Sequence, residues 1–179
     1  SPQMKTGSWV MVLLVAIAAL PAFAGGNPAV VLVSAGKPAA AIVVQRGAPS
    51  VISFAAVELQ RGIEAATSAR LPIVQEPAAG RNIILGGHPA LREAGIDLAT
   101  LKPDGAVRVA HKGNLHIAGV DDTDANWSTV SINHVAQYRH GTLNGVYVLL
   151  EEIIGLRWYF PGPAGEHVPS LTGELSVPS

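Results

Sequence analysis

Acidic side chains are the first candidates for chemistry in this chain. Glu151 and Glu152 are neighbours within a helical pattern. Hydrolysis by a carboxyl pair, as in glycosidases, needs two carboxyl groups about 5 to 9.5 Å apart across one cleft. Adjacent residues on a helix point about 100° apart, so these two do not face one site. We therefore predict no catalytic residue in the chain.

Metal binding is the second chemistry to test. The acidic stretch 121–126 resembles the start of a calcium loop, but Trp127 replaces the required glycine and Asn133 replaces the final glutamate. His111 and His116 lie near the tip of a predicted hairpin, and the spacing supplies no third ligand. We predict no metal site and no bound cofactor.

Aromatic side chains near the C-terminal end are the third candidates. Leu156, Trp158 and Phe160 alternate with Arg157 and Tyr159, so one set should enter the core while the other faces a partner or solvent. Aromatic rings can stack on sugars, although burial in a core or an interface is the more economical interpretation. The predicted contacts to a sugar or to another domain are Trp127, Arg157, Trp158 and Tyr159.

Composition limits the class of protein. The chain has 179 residues, enough for one domain, and a net charge of -1 with 14% charged residues, which disfavours nucleic acid as a partner. It has no cysteine, which excludes disulfides, thiolate metal sites and cysteine nucleophiles. Its 19 glycines and 13 prolines predict many turns between short elements.

The N-terminal residues have the pattern of a secretory signal peptide. Met4 and Lys5 precede an apolar run over 9–20, which is too short to span a bilayer as a helix, and Ala22-Phe23-Ala24 provides a cleavage site. We predict cleavage after Ala24 and a secreted or periplasmic product without a membrane segment. Residues 1–24 therefore stand outside the domain at 27–179, and a retained anchor is the alternative.

Periodicity predicts the elements of this domain. Spacing of three and four between apolar residues predicts an amphipathic helix that follows Pro49-Ser50 and ends near Thr67, and a second one at 142–154 that Gly155 ends. A short helix is expected near Leu91. Apolar runs predict strands at 30–33, 41–44, 71–74, 82–85, 107–111, 115–118, 156–160 and 175–177. Polar residues 121–137 predict a long loop.

The hairpin formed by 107–111 and 115–118 has a predicted register. With a three-residue loop over 112–114, Val109 faces Ile117 and His111 faces Leu115, which gathers the apolar side chains on one face. A two-residue loop would place them on both faces. The three-residue loop is favoured, and it puts His111 and His116 on opposite faces.

Three blocks carry a family resemblance: 55–60 leading to 71–74, then 83–86, then 140–152 continuing through 155–162 and 166–169. The last block, a glycine-led helix running into Arg157-Trp158-Tyr159 and a Pro-Gly turn, is the most specific. Together the blocks resemble the N-terminal domain of family 67 α-glucuronidases and related uncharacterised secreted bacterial proteins. That domain is similar to domain 2 of β-N-acetylhexosaminidases, and the resemblance covers the mature chain.

The resemblance implies a mixed β-sheet with two main amphipathic helices on one face, an α/β (α+β) fold. In those families the domain precedes a (β/α)₈ barrel that carries the catalytic carboxylates. Such a barrel takes roughly 200 residues, and this chain contains none, so we expect a cut chain and a barrel partner in the same polypeptide. The resemblance implies a non-catalytic accessory domain of an exported glycoside hydrolase. A free-standing carbohydrate-binding module is the alternative.

Overall fold

The computed structural model describes residues 29–128, 137–159 and 163–178, so the predicted signal peptide lies outside the described residues. The described chain is an α/β protein with parallel and antiparallel strands, which confirms the predicted fold class. Its helices are α1 (Ser50–Thr67), α2 (Pro89–Glu93) and α3 (Gly141–Ile154). Its strands are β1 (Val30–Ser34), β2 (Lys37–Pro38), β3 (Ala40–Val44), β4 (Ile73–Val74), β5 (Arg81–Leu85), β6 (Ala106–His111), β7 (Asn114–Gly119), β8 (Arg157–Trp158), β9 (Glu166–His167) and β10 (Leu175–Val177).

The central sheet has five strands in the order β4-β3-β5-β7-β6. The first four are parallel, and β6 pairs antiparallel with β7 at the edge. Register aligns the side chains into rows across the sheet. One row contains Ile42, Ile83 and Leu115, and it faces α1 and α3 in the main core. The next row contains Val43 and Ile84 and therefore points to the opposite face.

The two long helices pack together on the first face, as predicted. The apolar stripe of α1 is fully or almost fully buried, and it consists of Ala55, Leu59, Ile63 and Ala66. The helix ends at Ser68, whose left-handed backbone (φ 62°) lets its N–H donate to the Glu64 carbonyl at 2.8 Å. The helix α3 ends at Gly155 (φ 77°), the residue predicted to stop it. Among the described residues, no helix is long and apolar enough to cross a membrane.

The second face of the central sheet is also covered. We call residues 88–100 the cover segment; it contains α2 and a 3-10 turn at Leu98–Thr100. Leu91 of α2 is 2% exposed, and the His88 ring lies 5.5 Å from the ring of His116 on β7. Glu93 at the other end of α2 binds Lys112 in the turn between β6 and β7. The cover segment therefore lies across β7 and β6.

The predicted register of the β6–β7 hairpin is wrong. Val109 pairs with His116 and His111 with Asn114, so the loop is the two-residue turn Lys112-Gly113. Both turn residues have positive φ, 48° and 80°, which matches the twist of a two-residue hairpin. The prediction of a three-residue loop assumes that only one face of this hairpin is buried. Because both faces of the hairpin are covered, apolar side chains can be buried on either side of it. In the observed register, His111 and His116 lie on the same face.

Two smaller sheets complete the described chain. β1 pairs with β2 and with β10, whereas β3 belongs to the central sheet, so the first two predicted strands do not form a hairpin with each other. β8 and β9 form a two-residue antiparallel pair. The predicted strand at 156–160 is therefore shorter, and Phe160 with the Pro161-Gly162 turn lies outside the described residues, as do residues 129–136.

Candidate functional site

The end of β8 presents the largest exposed aromatic side chains of the described chain. Tyr159 is 74% exposed and Trp158 is 41% exposed, whereas Leu156 is fully buried. We call Arg157, Trp158 and Tyr159 the hairpin surface. The alternation expected over 156–160 does not continue past Leu156, because β8 is two residues long and, among the described residues, pairs with β9 alone.

Each residue of the hairpin surface has a defined support. Trp158 packs edge-on against Tyr147 of α3, with ring centroids 5.0 Å apart. The backbone N–H of Tyr159 donates to the Gly165 carbonyl at 2.8 Å, which closes the hairpin. Arg157 donates to the Glu151 carbonyl at 3.3 Å, where a cation complements the C-terminal end of a helix. The hairpin surface is therefore held against the last turn of α3.

A charged cluster lies beside this surface and joins α1 to β9. Arg61 donates from one nitrogen to both carboxylate oxygens of Glu166 at 2.9 Å, and it also binds Glu58 at 3.2 and 3.3 Å. The hydrogen bond to Glu58 is the main cause that raises the pKa of Arg61. Tyr147 donates its hydroxyl to Glu58 at 3.2 Å, and burial raises the pKa of that phenol. The tyrosine therefore stays protonated and acts as a donor.

Glu58 and Glu166 are carboxylates that the fold brings together, but they are not arranged for hydrolysis. Both are bound to the guanidinium of Arg61. A glycosidase needs one carboxyl group free to donate a proton and a second facing the same sugar. The arrangement of these two groups serves to join a helix to a hairpin.

A second groove contains two carboxylates, one of which is paired. Asp104 and Glu152 both line a groove of about 340 Å³ between β6 and α3. Asn144 of α3 binds the backbone carbonyl of Asp104 at 3.3 Å. Glu152 is paired with Arg108, whereas a glycosidase needs a carboxyl group that is free to donate a proton.

A third concavity lies at the carboxyl ends of the parallel strands. It has a volume of about 330 Å³ and is lined by the loops after β3 and β5 and by Asp121. Gln45 closes one side by donating to the Gly87 carbonyl at 3.0 Å. Gly86 has φ 80°, and a Cβ there would lie 3.1 Å from Ile52, so the Gly86-Gly87 pair makes a tight turn against α1.

The acidic stretch that resembled a calcium loop makes other contacts. Asp121 accepts from the backbone N–H of Thr142 at 3.0 Å and from its hydroxyl at 2.6 Å, and thus caps α3 from a distance. Burial raises the pKa of Asp121, and the bonds from Thr142 oppose that effect. Asp122 binds Arg139. Within the described residues, no three His, Asp or Glu side chains converge as a metal site would require.

Trp127 lies apart from the hairpin surface. It is 5% exposed and stands between Phe54 and His140, with ring centroids at 5.7 and 5.4 Å. Its backbone N–H donates to Ser50 at the start of α1 at 3.0 Å. The structure thus places three of the four predicted contact residues on one surface and the fourth in the core.

Sequence reasoning missed the charged cluster. Glu58 and Arg61 are three residues apart on α1, and this spacing indicates an ion pair between them. Glu166 is 105 residues away from Arg61, and local spacing gives no indication of that contact.

No model of a known protein family matches the chain, and no curated protein matches it significantly. Among solved structures, the chain is similar to a family GH115 4-O-methyl-α-glucuronidase with specificity for decorated arabinogalactans. The identity is 23% and the TM-score 0.45, over 66% of this chain. The match spans only 14% of the length of that enzyme. The family 67 resemblance therefore stays a prediction.

Proposed function

We propose that this chain is a non-catalytic accessory domain of an exported, α-glucuronidase-like glycoside hydrolase that acts in polysaccharide degradation. Its role is to pack against a catalytic barrel of the same polypeptide and to help frame the substrate cleft. The domain comprises residues 27–179, and a signal peptide cleaved after Ala24 directs it to the periplasm or the medium. The proposal starts from the resemblance of the sequence blocks to such domains.

The observation that carries the proposal is the apolar and aromatic side chains left exposed on the outside of the helical layer. Trp158 and Tyr159 stand at the hairpin surface, and Phe54 and Val57 on the outer face of α1 are 37% and 52% exposed. Large exposed apolar side chains that are rimmed by polar groups mark interaction sites. Arg61 and its two carboxylates supply the polar groups next to them.

The arrangement of carboxylates supports an accessory role over an independent hydrolase. Glu58 and Glu166 are both bound to Arg61, and in the groove between β6 and α3 Glu152 is paired with Arg108. Neither set therefore has two carboxyl groups free to act on one sugar. The catalytic carboxylates are then expected in the barrel.

The alternative function is a free-standing carbohydrate-binding module. The specific observation in its favour is Tyr159, a ring that is 74% exposed next to Trp158 and Arg157. Exposed rings can stack on the apolar faces of sugars, and the guanidinium can bind a carboxylate substituent.

Sequencing the coding DNA past the codon for Ser179 tests the first proposal. A continuing frame with about 200 or more residues in a barrel pattern is the expected result. The natural product should then release glucuronic acid from substituted xylan fragments or hydrolyse chromogenic glycosides. A stop codon at that position would contradict the accessory-domain proposal.

Variants of the exposed rings separate the two functions. In an accessory domain, the double variant Trp158→Ala, Tyr159→Ala lowers the melting temperature of the natural product by several degrees, and the 179-residue chain does not bind xylan. In a binding module, the chain alone is depleted by insoluble polysaccharide, and the same variant abolishes this. Ile73→Ala is the matched control, since Ile73 is 39% exposed on β4, away from the hairpin surface.

A further inference from the structure

Three histidines form a cluster between the central sheet and the cover segment. The ring centroids of His88 and His116 are 5.5 Å apart, and those of His111 and His116 are 6.5 Å apart. The three come from different elements: His88 precedes α2, His111 ends β6, and His116 lies in the middle of β7. The cluster is separate from the hairpin surface, and the inference drawn from it is independent of the proposed function.

His116 is surrounded by apolar neighbours in its row. Ile84 on β5 and Val109 on β6 are its partners across the sheet. It is 1% exposed, and its Nδ1 has no hydrogen-bond partner in the described part of the chain. Burial, followed by the neighbouring His88 and His111, lowers the pKa of His116 to about 4. The closed structure therefore holds this imidazole in its neutral form.

His88 ties the start of the cover segment to this cluster. Its Nδ1 accepts a hydrogen bond from the backbone N–H of Ala90 at 3.1 Å and thereby caps α2. The same ring has its centroid 5.5 Å from that of His116. A change at His116 therefore acts directly on the side chain that holds the start of α2.

The remaining charged groups lie at the far end of the cluster. Glu93 of α2 approaches His111 Nε2 at 3.7 Å and is bound to Lys112. The bond to Lys112 is the main cause that lowers the pKa of Glu93, so this carboxylate stays ionised. The groups acting on His116 are His88 and His111, and both add repulsion when protonated.

We infer that the His88–His111–His116 cluster is an acid-sensitive latch, which keeps the cover segment closed on the sheet while the buried His116 is neutral and releases it when His116 takes up a proton. Opening would expose Leu91 of α2 and the face of β7 and β6 around His116 and Val109. A fall in pH would thus expose apolar side chains that are buried while the cover segment is closed.

The sign of the effect follows from the lowered pKa of His116. A histidine released into water regains a pKa near 6.5, so the open state binds more protons than the closed state between pH 6.5 and about 4. The contribution of neutral His116 to the stability of the closed state is fully present above pH 6.5 and is lost as the pH falls toward 4. Because opening is coupled to the uptake of one proton, the population of the open state rises by at most about tenfold for each unit that the pH falls in this window.

Amide hydrogen exchange on the full chain tests the latch. Rates are measured at pH 7.0, 6.0, 5.0 and 4.5 and corrected for the intrinsic pH dependence of exchange. The expected result is a corrected rate for residues 88–100 that rises up to about tenfold per pH unit below 6.5, without a rise in α1 or α3. A parallel rise in α1 and α3 would mean global unfolding and would overturn the latch.

Substitutions assign the effect to the cluster. His116→Leu places an apolar side chain in an apolar row and should remove most of the pH-dependent rise. His88→Asn keeps a side chain that can cap α2 but does not titrate, and it should reduce the rise. His167→Asn changes the histidine of β9, which is exposed, and should leave it unchanged.

The outcomes remain distinct if a variant folds poorly. Far-ultraviolet circular dichroism checks each variant first. Should His116→Leu not fold, His116→Gln replaces it, because glutamine also does not titrate and is close to histidine in size. A wild-type chain with equal corrected rates at pH 7.0 and 4.5, or a folded His116 variant with the full wild-type rise, would overturn the inference.

Discussion

Arg61 joins two parts of the chain that are distant in sequence. Its guanidinium binds Glu58 on its own helix and Glu166 on β9, and the side chain is 43% exposed. Single exposed ion pairs contribute little, but a bidentate pair within a network can contribute more. The contact between α1 and the β8–β9 hairpin thus depends in part on one cation.

Arg61→Met should lower the free energy of unfolding by about 1 kcal/mol, because it keeps the aliphatic stem but removes both ion pairs. Urea unfolding at low salt measures this change, and 1 M NaCl should reduce it. Arg70→Met is the matched control, since Arg70 is 64% exposed and binds Glu64 alone. Equal losses in the two variants would show that the network adds nothing.

Histidines show the limits of sequence reasoning at the residue scale. The sequence places His111 and His116 near the tip of one hairpin, but the predicted register puts them on opposite faces. The sequence predicts no role for His88. Only the crossing of the cover segment over β7 brings the third ring near the other two. Local spacing contains no information about such a crossing.

At the scale of elements, the start of α3 is held by very close backbone contacts. Gly119 ends β7, and a Cβ at this position would lie 2.5 Å from the Gly105 carbonyl oxygen and 2.6 Å from the Gly141 Cα. These neighbours are backbone atoms, which cannot move aside as a flexible side chain can. The absence of a side chain at Gly119 therefore allows β7 and α3 to meet.

Gly119→Ala should lower the free energy of unfolding by about 3 kcal/mol, because the added methyl group overlaps backbone atoms. The measurement is thermal or urea unfolding followed by circular dichroism. Gly87→Ala is the control, since its Cβ would meet only Leu98 at 3.7 Å, an ordinary contact, and a change within about 0.5 kcal/mol is expected. A mild effect at Gly119 would contradict the close contact.

Helices were predicted better than strands. The helix expected after Pro49-Ser50 and ending near Thr67 agrees with α1, and 142–154 differs from α3 by one residue, because each apolar stripe spans several turns. The strand predicted at 156–160 is longer than the observed β8. The length of a strand depends on a partner strand from elsewhere in the chain, and a run of five residues does not show how far that partner extends.

At the scale of the whole molecule, the first and last strands of the described chain close the structure. β1 pairs antiparallel with β10, and Val30 lies opposite Val177. Val177 is fully buried in the main core, although it lies near the end of the chain. The final strand therefore belongs to the cooperative unit.

Val177→Ala should cost about 2 kcal/mol of unfolding free energy, because it removes buried methyl groups from a filled core. Val57→Ala is a control with identical chemistry on the 52%-exposed face of α1, where little or no loss is expected. Chemical denaturation with matched slopes measures both. A loss in Val177→Ala no larger than that in Val57→Ala would mean that β10 is not part of the core.

The sequence by itself determined the α/β class, the two long helices and most of the strand positions, because these depend on periodicity within a few turns or a few residues. It also named Arg157, Trp158 and Tyr159 as candidate contacts, together with Trp127, which the structure places in the core. The tertiary structure decided which rings are exposed, how the β6–β7 hairpin is registered, and which charges meet. Arg61 with Glu166, and His88 with His116, are pairs made by chain crossings, whose free energy depends on contacts between residues far apart in sequence.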